Sequence, residues 1–260
     1  MSNVQKAKLF HKLHVRGVPL ILYNVWDSGS AKAVAKAGAE AIATGSWSVA
    51  SAHGFDDGEH LPLEFAIANL ARIVNATELP VTIDIESGYG KTAEDVGKTV
   101  SETIQVGAVG CNLEDSFPED GKLRDVGMQI TRIAQARQIA DEAKLPYFIN
   151  ARTDVFLRTP AAEHDEAMLK EAIARSKAYA DAGASGLFAP GLVSEKMIAQ
   201  LAKSSPLPLN VMMSDATPML SKLADAGVAR VSYGPVPYLE AMKVLEAKAR
   251  DAIGFVNSNR

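Results

Sequence analysis

Val106-Gly107-Ala108-Val109-Gly110-Cys111-Asn112-Leu113-Glu114-Asp115 is the stretch that decides the fold. An Ala/Val-rich run of helical character stops at a glycine, a short apolar run follows, and two acids close it. The same phrase recurs as Ala37-Gly38-Ala39-Glu40, Ala182-Gly183-Ala184-Ser185-Gly186 and Ala226-Gly227-Val228-Ala229-Arg230. Glycine there can adopt the left-handed geometry that ends a helix. The apolar runs are too short for helices and are bounded by Gly or Pro, so they read as buried parallel strands.

Outward from these points, strands are expected at 19–24, 41–44, 81–84, 110–113, 148–152, 186–188, 209–212 and 230–233. Helical patterns fall between them at 30–37, 63–75, 93–106, 128–142, 164–181, 194–203 and 218–226, with a last one near 238–253. About eight βα units in 260 residues is the size and count of a (β/α)8 TIM barrel. A doubly wound sheet, the other α/β possibility, rarely needs eight consecutive units. No Ser/Gly/Pro-rich linker divides the chain, so it reads as one barrel domain over 1–260.

Composition narrows the function. With 27 Lys+Arg against 31 Asp+Glu the net charge is −4, which gives no electrostatic footprint for a phosphate backbone and argues against nucleic acid. Hydrophobic content of 47% with 22% charged residues is that of a globular protein and excludes disorder, collagen and coiled coil. The single cysteine, Cys111, excludes a disulfide framework and fits a reducing compartment. No apolar run approaches the ~20 residues that span a bilayer, and no signal h-region follows the N-terminus. A cytoplasmic protein without membrane partners is expected.

A barrel carries its chemistry where strands end and βα loops begin. There the sequence places Thr44-Gly45-Ser46-Trp47-Ser48, then a loop with His53, Asp56, Asp57 and His60; Asp84-Ile85-Glu86; Glu114-Asp115; Arg152-Thr153-Asp154; Asn210; and Ser232-Tyr233-Gly234. Asp84, Glu86, Glu114 and Asp115 would bring up to four carboxylates to one rim, where they would raise each other's pKa values. A hard divalent cation resolves that, Mg²⁺ or Mn²⁺ for an oxygen-only set; an ion-pair network with Arg152 or Lys91 is the alternative. Arg152 suits either a fork for a substrate carboxylate or a salt bridge to those acids. Ser46 could serve a developing oxyanion or cap a helix. Asp27 reads as a helix cap, His11 and His14 as surface residues, His53 and His60 as solvated, Cys111 as a buried apolar residue, and Met212-Met213 as packing.

Tyr23-Asn24-Val25-Trp26-Asp27, Thr44-Gly45-Ser46, Asp84-Ile85-Glu86-Ser87-Gly88-Tyr89-Gly90, Asn112-Leu113-Glu114-Asp115-Ser116 and Asn150-Ala151-Arg152-Thr153-Asp154 resemble the isocitrate lyase/phosphoenolpyruvate mutase superfamily. The resemblance runs through Ala178–Ala184 and Val228–Gly234 and covers nearly the whole chain in order. It implies a barrel whose last helix packs onto a neighbouring subunit, giving dimers or tetramers. It also implies Mg²⁺ bound by the acids matching Asp84, Glu86 and Glu114, partly through water, and a small dianionic 2-oxo acid on that metal. The acid's carboxylate would lie near Ser46 and the backbone at Trp47, with Arg152 closing the site and Asn210 also contacting substrate. Asp57 matches the aspartate beside the reacting bond.

The family's shared chemistry cleaves or forms a C–C or P–C bond next to a pyruvate-like enolate. Lyase members carry a Lys-Lys/Arg-Cys-Gly-His motif on a lid. The corresponding stretch here, Ser116-Phe117-Pro118-Glu119-Asp120-Gly121-Lys122-Leu123-Arg124-Asp125, has neither cysteine nor histidine. An isocitrate or methylisocitrate lyase is therefore disfavoured, and Lys122 and Arg124 become the lid residues available to meet an anion. The expectation is a Mg²⁺-dependent enzyme of the oxaloacetate-type lyase/decarboxylase or phosphonopyruvate-type mutase/hydrolase kind. A barrel that binds metal and 2-oxo acids without turnover is the alternative.

Overall fold

Eight short parallel strands alternate with helices in the computed structural model, which describes the backbone of residues 1–257 and the side chains of residues 1–254. Residues 258–260, inside the domain expected from sequence, lie outside the described residues. Helix α1 (Asn3–Lys12) precedes β1 (Leu20–Leu22), α2 (Ser28–Lys36), β2 (Ile42–Ala43), α3 (Ser46–Ala52) and α4 (Leu63–Asn75). Then come β3 (Val81–Asp84), α5 (Ala93–Gln105), β4 (Gly110–Glu114), α6 (Val126–Glu142) and β5 (Phe148–Arg152). The chain continues through a 3-10 turn (Ala161–Glu163), α7 (Glu166–Asp181), β6 (Gly186–Phe188), α8 (Glu195–Ser204), β7 (Leu209–Met212), α9 (Leu220–Asp225), β8 (Arg230–Ser232) and α10 (Val236–Asn257). Asp27, Thr92, Asp165 and Ser194 start α2, α5, α7 and α8 by accepting from first-turn amides, as polar residues at that position do.

The strands follow the order β1-β8-β7-β6-β5-β4-β3-β2, all parallel. The remaining seam, between β1 and β2, is closed by one parallel bridge, Val25 with Thr44. The amide of Val25 donates to Ala43 at 2.9 Å, and that of Gly45 to Val25 at 3.2 Å. Asn24 reinforces the seam: its Nδ2 donates to the Thr44 carbonyl at 2.9 Å, while its Oδ1 accepts from the amides of Tyr233 and Gly234 at 2.8 and 2.9 Å. The result is a (β/α)8 TIM barrel.

Two helices lie beyond the sequence reading, α1 and α3. In α1 the apolar positions Ala7 and Phe10, three apart, face the bottom of the barrel and are fully buried, and a Ser2–Gln5 capping box starts the helix. This corrects the reading of His11 and His14 as surface residues. His14 stacks on Phe148 with ring centroids 4.0 Å apart, and His11 Nε2 donates to the Pro146 carbonyl at 3.0 Å. Burial, then the Arg230 charge, hold His14 down to about 3, so its imidazole is neutral and Nδ1 donates to the Phe10 carbonyl.

Phe148 fills the lower barrel because two of its neighbours are glycines. A Cβ on Gly110 would sit 2.7 Å from the Phe148 carbonyl, and one on Gly186 would sit 2.8 Å from its ring. Above it the interior is polar, where barrels of this kind usually carry branched apolar layers. Asn150 Nδ2 and Arg230 Nη2 both donate to Asn112 Oδ1, at 2.9 and 3.1 Å, and Asn210 Nδ2 lies 3.1 Å from Ser232 Oγ. Cys111 points outward from β4 and is buried as expected, its thiol pushed up to about 12 by burial. Among the described residues, no helix is long and apolar enough to cross a membrane.

Overpacking a filled interior costs about 1–3 kcal/mol. Gly110→Ala is therefore expected to lower the unfolding free energy by that amount, read by circular dichroism as a fall in the urea midpoint at constant m-value. An unchanged midpoint would show that Phe148 gives way freely.

Candidate active site

The loops after β2 and β3 set the site. Four non-glycine residues among those described hold the left-handed backbone region, and three of them are here: Glu59 (φ 62°), Glu86 (φ 50°) and Tyr89 (φ 55°). Such residues persist only where surrounding bonds over-determine them. Glu86 Oε2 accepts from the amides of Gly58 and Glu59, both at 2.7 Å, and Tyr89 Oη donates to Oε1 at 3.3 Å. In return Glu59 Oε1 accepts from Ser87 Oγ at 2.6 Å and the Tyr89 amide at 2.8 Å. The two glutamates staple one loop to the other.

This staple borders a cavity of about 250 Å³, lined by Ser46, Trp47, Asp57, Asp84 and Arg152 among others. Its size suits a small acid rather than a nucleotide. Asp84, at the end of β3, accepts from the Glu86 amide at 3.1 Å and lies 3.5 Å from Ser46 Oγ. Ser46 is the first residue of α3, whose N-cap is Gly45; this corrects the helix-cap alternative and frees the hydroxyl for the pocket. Arg152, at the end of β5, donates from Nη1 to Glu114 at 2.7 Å and grips Asp154 at two points, 2.6 and 3.0 Å. Arg152 is thus ion-paired, as one of its two readings has it, and it also lines the cavity.

Electrostatics at this point are dominated by crowded carboxyl groups. Desolvation, followed by the charges of Asp57 and Asp84, pushes Glu86 up to about 8. Burial also raises Glu114, with the Arg152 guanidinium pulling against it. Asp57 is raised by desolvation and then by Asp84.

Five of the expected residues meet in one pocket: Ser46, Trp47, Asp57, Asp84 and Arg152. Glu86 and Glu114 stand behind Asp84 with oxygens engaged by protein donors. Among the described residues, no group of three His, Cys, Asp or Glu side chains is disposed to hold a metal. Asn210 lies a layer below, 1% exposed and bonded to Ser232. Asp115 does not join the rim. It turns outward, fully buried, to Arg175 at 3.2 Å and Tyr179 Oη at 2.7 Å, leaving Asp57 as the fourth acid. Neither lid cation lines this pocket: Lys122 is exposed and paired with Asp120 at 2.7 Å. Arg124 is buried, donates to the Ser116 carbonyl and to Ser87 Oγ, and lies over the Phe117 ring at 4.4 Å.

Sequence reasoning gave no site role to Asn24 or Asn112, nor to the apolar lining residues Leu157, Phe188, Met212 and Pro235, while Ser232, expected at a strand end, does line the pocket. Asn112 was within reach, since residues two apart on a strand share a face and Glu114 follows it on β4. Met212, read as packing, is part of that lining.

The family model described as phosphoenolpyruvate phosphomutase matches residues 10–253. The chain belongs to that family. A Burkholderia cenocepacia J2315 crystal structure, provisionally named a phosphonomutase, superposes with a TM-score of 0.95 at 55% identity, covering 96% of this chain and 100% of that one. The uncharacterized Mycobacterium tuberculosis protein Rv1998c is 34% identical over 93% of this chain and 87% of its own. The 2-methylisocitrate lyase of Escherichia coli is 28% identical over 93% of this chain and 82% of its own. Mutases and lyases thus stand among the relatives of this phosphoenolpyruvate phosphomutase-family barrel.

The raised carboxyl groups fix a pH dependence. A carboxyl group raised in the folded state binds its proton more tightly there, so its stabilisation is present below the ordinary carboxylate range and lost as pH climbs toward about 8. The loss runs at about 1.4 kcal/mol per pH unit per group inside that window. The melting temperature is expected to fall between pH 5 and pH 8.5. A flat profile by differential scanning calorimetry would contradict the crowding argument.

Proposed function

We propose that this barrel is a Mg²⁺-dependent enzyme that makes or breaks a bond next to the enolate of a small 2-oxo or 2-hydroxy acid. The observation that carries the reading is Asp57 sharing one small pocket with Asp84, Ser46 and Arg152. What supports a hard divalent cation is the chemistry of the donors: they are all oxygens, and Asp57, Asp84, Glu86 and Glu114 crowd around a single guanidinium. Asp84 would hold the ion, with Glu86 and Glu114 behind it, and Mn²⁺ would serve in place of Mg²⁺. When bound, such an ion polarises a 2-oxo group and stabilises the enolate oxygen.

The rest falls to the chain's own side chains. Ser46 Oγ and the first-turn amides of α3, which have no partner within the helix, receive the 1-carboxylate. Arg152 is held in place by Asp154 and Glu114, so it presents a fixed charge toward that carboxylate at little ordering cost. Asp57, raised by desolvation and by Asp84, moves the proton at the reacting carbon, a general acid–base role that a carboxyl group lining the pocket can serve. The loop over 116–125 brings neither cysteine nor histidine, which supports a reaction other than isocitrate or methylisocitrate cleavage.

Assembly is part of the same proposal. Helix α10 exposes Leu239, Val244, Leu245 and Ile253, at 48, 61, 61 and 61%. Apolar side chains of that exposure support packing of α10 on a neighbouring subunit, as a dimer or tetramer.

Enolate formation can be tested without knowing the substrate. In D₂O with Mg²⁺, proton NMR of pyruvate and 2-oxobutyrate is expected to show exchange at C3 above the metal-only rate. Asp57→Asn is expected to slow it by about 10²–10⁴ while oxalate still binds. Exchange that survives Asp57→Asn would misplace the base, and oxalate binding with no exchange or cleavage in the native protein would favour a non-catalytic binder. For assembly, Val244→Glu with Leu245→Glu is expected to reduce the scattering mass to that of the 27.6 kDa chain. A native protein already of that mass would refute the packing of α10.

A further inference from the structure

Besides Ser46, three residues with amide or hydroxyl side chains line the pocket: Asn24, Asn112 and Ser232. Two of them are committed. Asn24 holds the barrel seam through both ends of its amide. Ser232 Oγ donates to Asn210 Oδ1 at 3.3 Å, and accepts from Asn210 Nδ2 at 3.1 Å and Arg230 Nε at 3.3 Å. Asn112 differs. Its Oδ1 accepts from Asn150 Nδ2 at 2.9 Å and Arg230 Nη2 at 3.1 Å, which fills both lone pairs. Its Nδ2 has no acceptor among the described residues, so the NH2 end is what Asn112 leaves for the pocket.

An asparagine amide can in general be turned end for end, but here Arg230 decides, because a guanidinium carries donors only. Reversal would set the Asn112 NH2 against the donors of Arg230 and Asn150 and turn its oxygen toward the pocket's carboxyl groups. Arg230 is fully buried, its acceptors Asn112 and Ser232 are neutral, and its Nη1 has no partner among the described residues. Burial pulls it down to about 9, with Asp84 pulling the other way, so it is cationic at neutral pH. A charged donor on Oδ1 draws electron density from the amide and strengthens the N–H groups at its other end. Asn112 also stands in register with Asp84 across β3 and β4, and both line the pocket. We infer that Asn112 Nδ2 donates to an oxygen of the bound acid beside Asp84, and that Arg230 is the positioning residue that orients and polarises this amide. This rests on the reading above that the pocket takes a small 2-oxo or 2-hydroxy acid. It brings positive charge to the acid through a neutral side chain, from a guanidinium that need not touch it.

The test follows oxalate binding to the Mg²⁺-loaded protein by calorimetry and by the side-chain NH2 signals of ¹⁵N-asparagine-labelled protein. Asn112→Asp keeps the acceptor used by Asn150 and Arg230 and replaces the donor by a second acceptor. Its missing signal pair assigns Asn112, and Asn112→Ser does so should that variant not fold. Oxalate is expected to move the Asn112 pair downfield in the native protein, and to bind about tenfold to hundredfold more weakly to Asn112→Asp. Arg230→Met is expected to reduce the downfield shift and weaken binding about tenfold, and Arg230→Lys to recover both in part. An Asn112 signal that oxalate leaves in place, or native affinity in Asn112→Asp, overturns the inference and leaves the proposed function standing. Native shift and affinity in Arg230→Met overturn the role given to Arg230. Failure of oxalate to bind the native protein overturns the inference together with the reading on which it rests.

Discussion

Like charge gathered in a small, poorly hydrated space is the condition that the upper end of this barrel is built to withstand. Asp57, Asp84, Glu86 and Glu114 come from three successive βα junctions, and each makes ionisation of its neighbours harder. The protein answers with directed donors rather than with a matching number of cations. Glu86 receives two backbone amides, and Glu114 shares Arg152 with Asp154. The left-handed turns at Glu59, Glu86 and Tyr89 accompany this arrangement, in which the amides of Gly58 and Glu59 point at the Glu86 carboxyl group.

Buried guanidinium groups then fix those loops from behind. Arg132, on α6, donates to the carbonyls of Ser87, Gly90, Lys91 and Thr92, so one side chain gathers the entire β3 loop. Arg175, on α7, holds both Asp115 and the carbonyl of Arg124. A planar fork with several donors is suited to bracketing carbonyls that point in different directions. The cations of this region therefore serve architecture, and that is why so little positive charge is left to face the cavity.

Much of the barrel was legible because its strands are bounded by strong punctuation. The expected strands at 81–84, 148–152, 186–188 and 209–212, and the helix at 63–75, coincide with those formed. The failures share a cause, dependence on partners distant in the chain. Helix α1 carries lysines and histidines that read as surface until Phe148 is placed beneath them. Asp115 looks like a rim acid beside Glu114, yet strand alternation turns it toward Arg175, sixty residues on. Arg124 looks like a mobile cation in a charged loop and is instead packed under it. The acids, the serine and the arginine of the pocket were readable from their positions at strand ends. Its apolar lining was not, since Leu157, Phe188 and Met212 resemble ordinary core residues until the cavity is seen.

The burial of Cys111 has a practical corollary. It is the chain's only sulfhydryl, fully enclosed between strand and helices, and its thiolate form is suppressed to about pH 12. Reaction with an alkylating reagent requires the barrel to open, because the thiolate is the nucleophile and the folded state neither exposes nor forms it. Labelling of the native sequence thus reports the population of opened molecules, and the opening rate itself where alkylation outpaces reclosing, with no introduced probe.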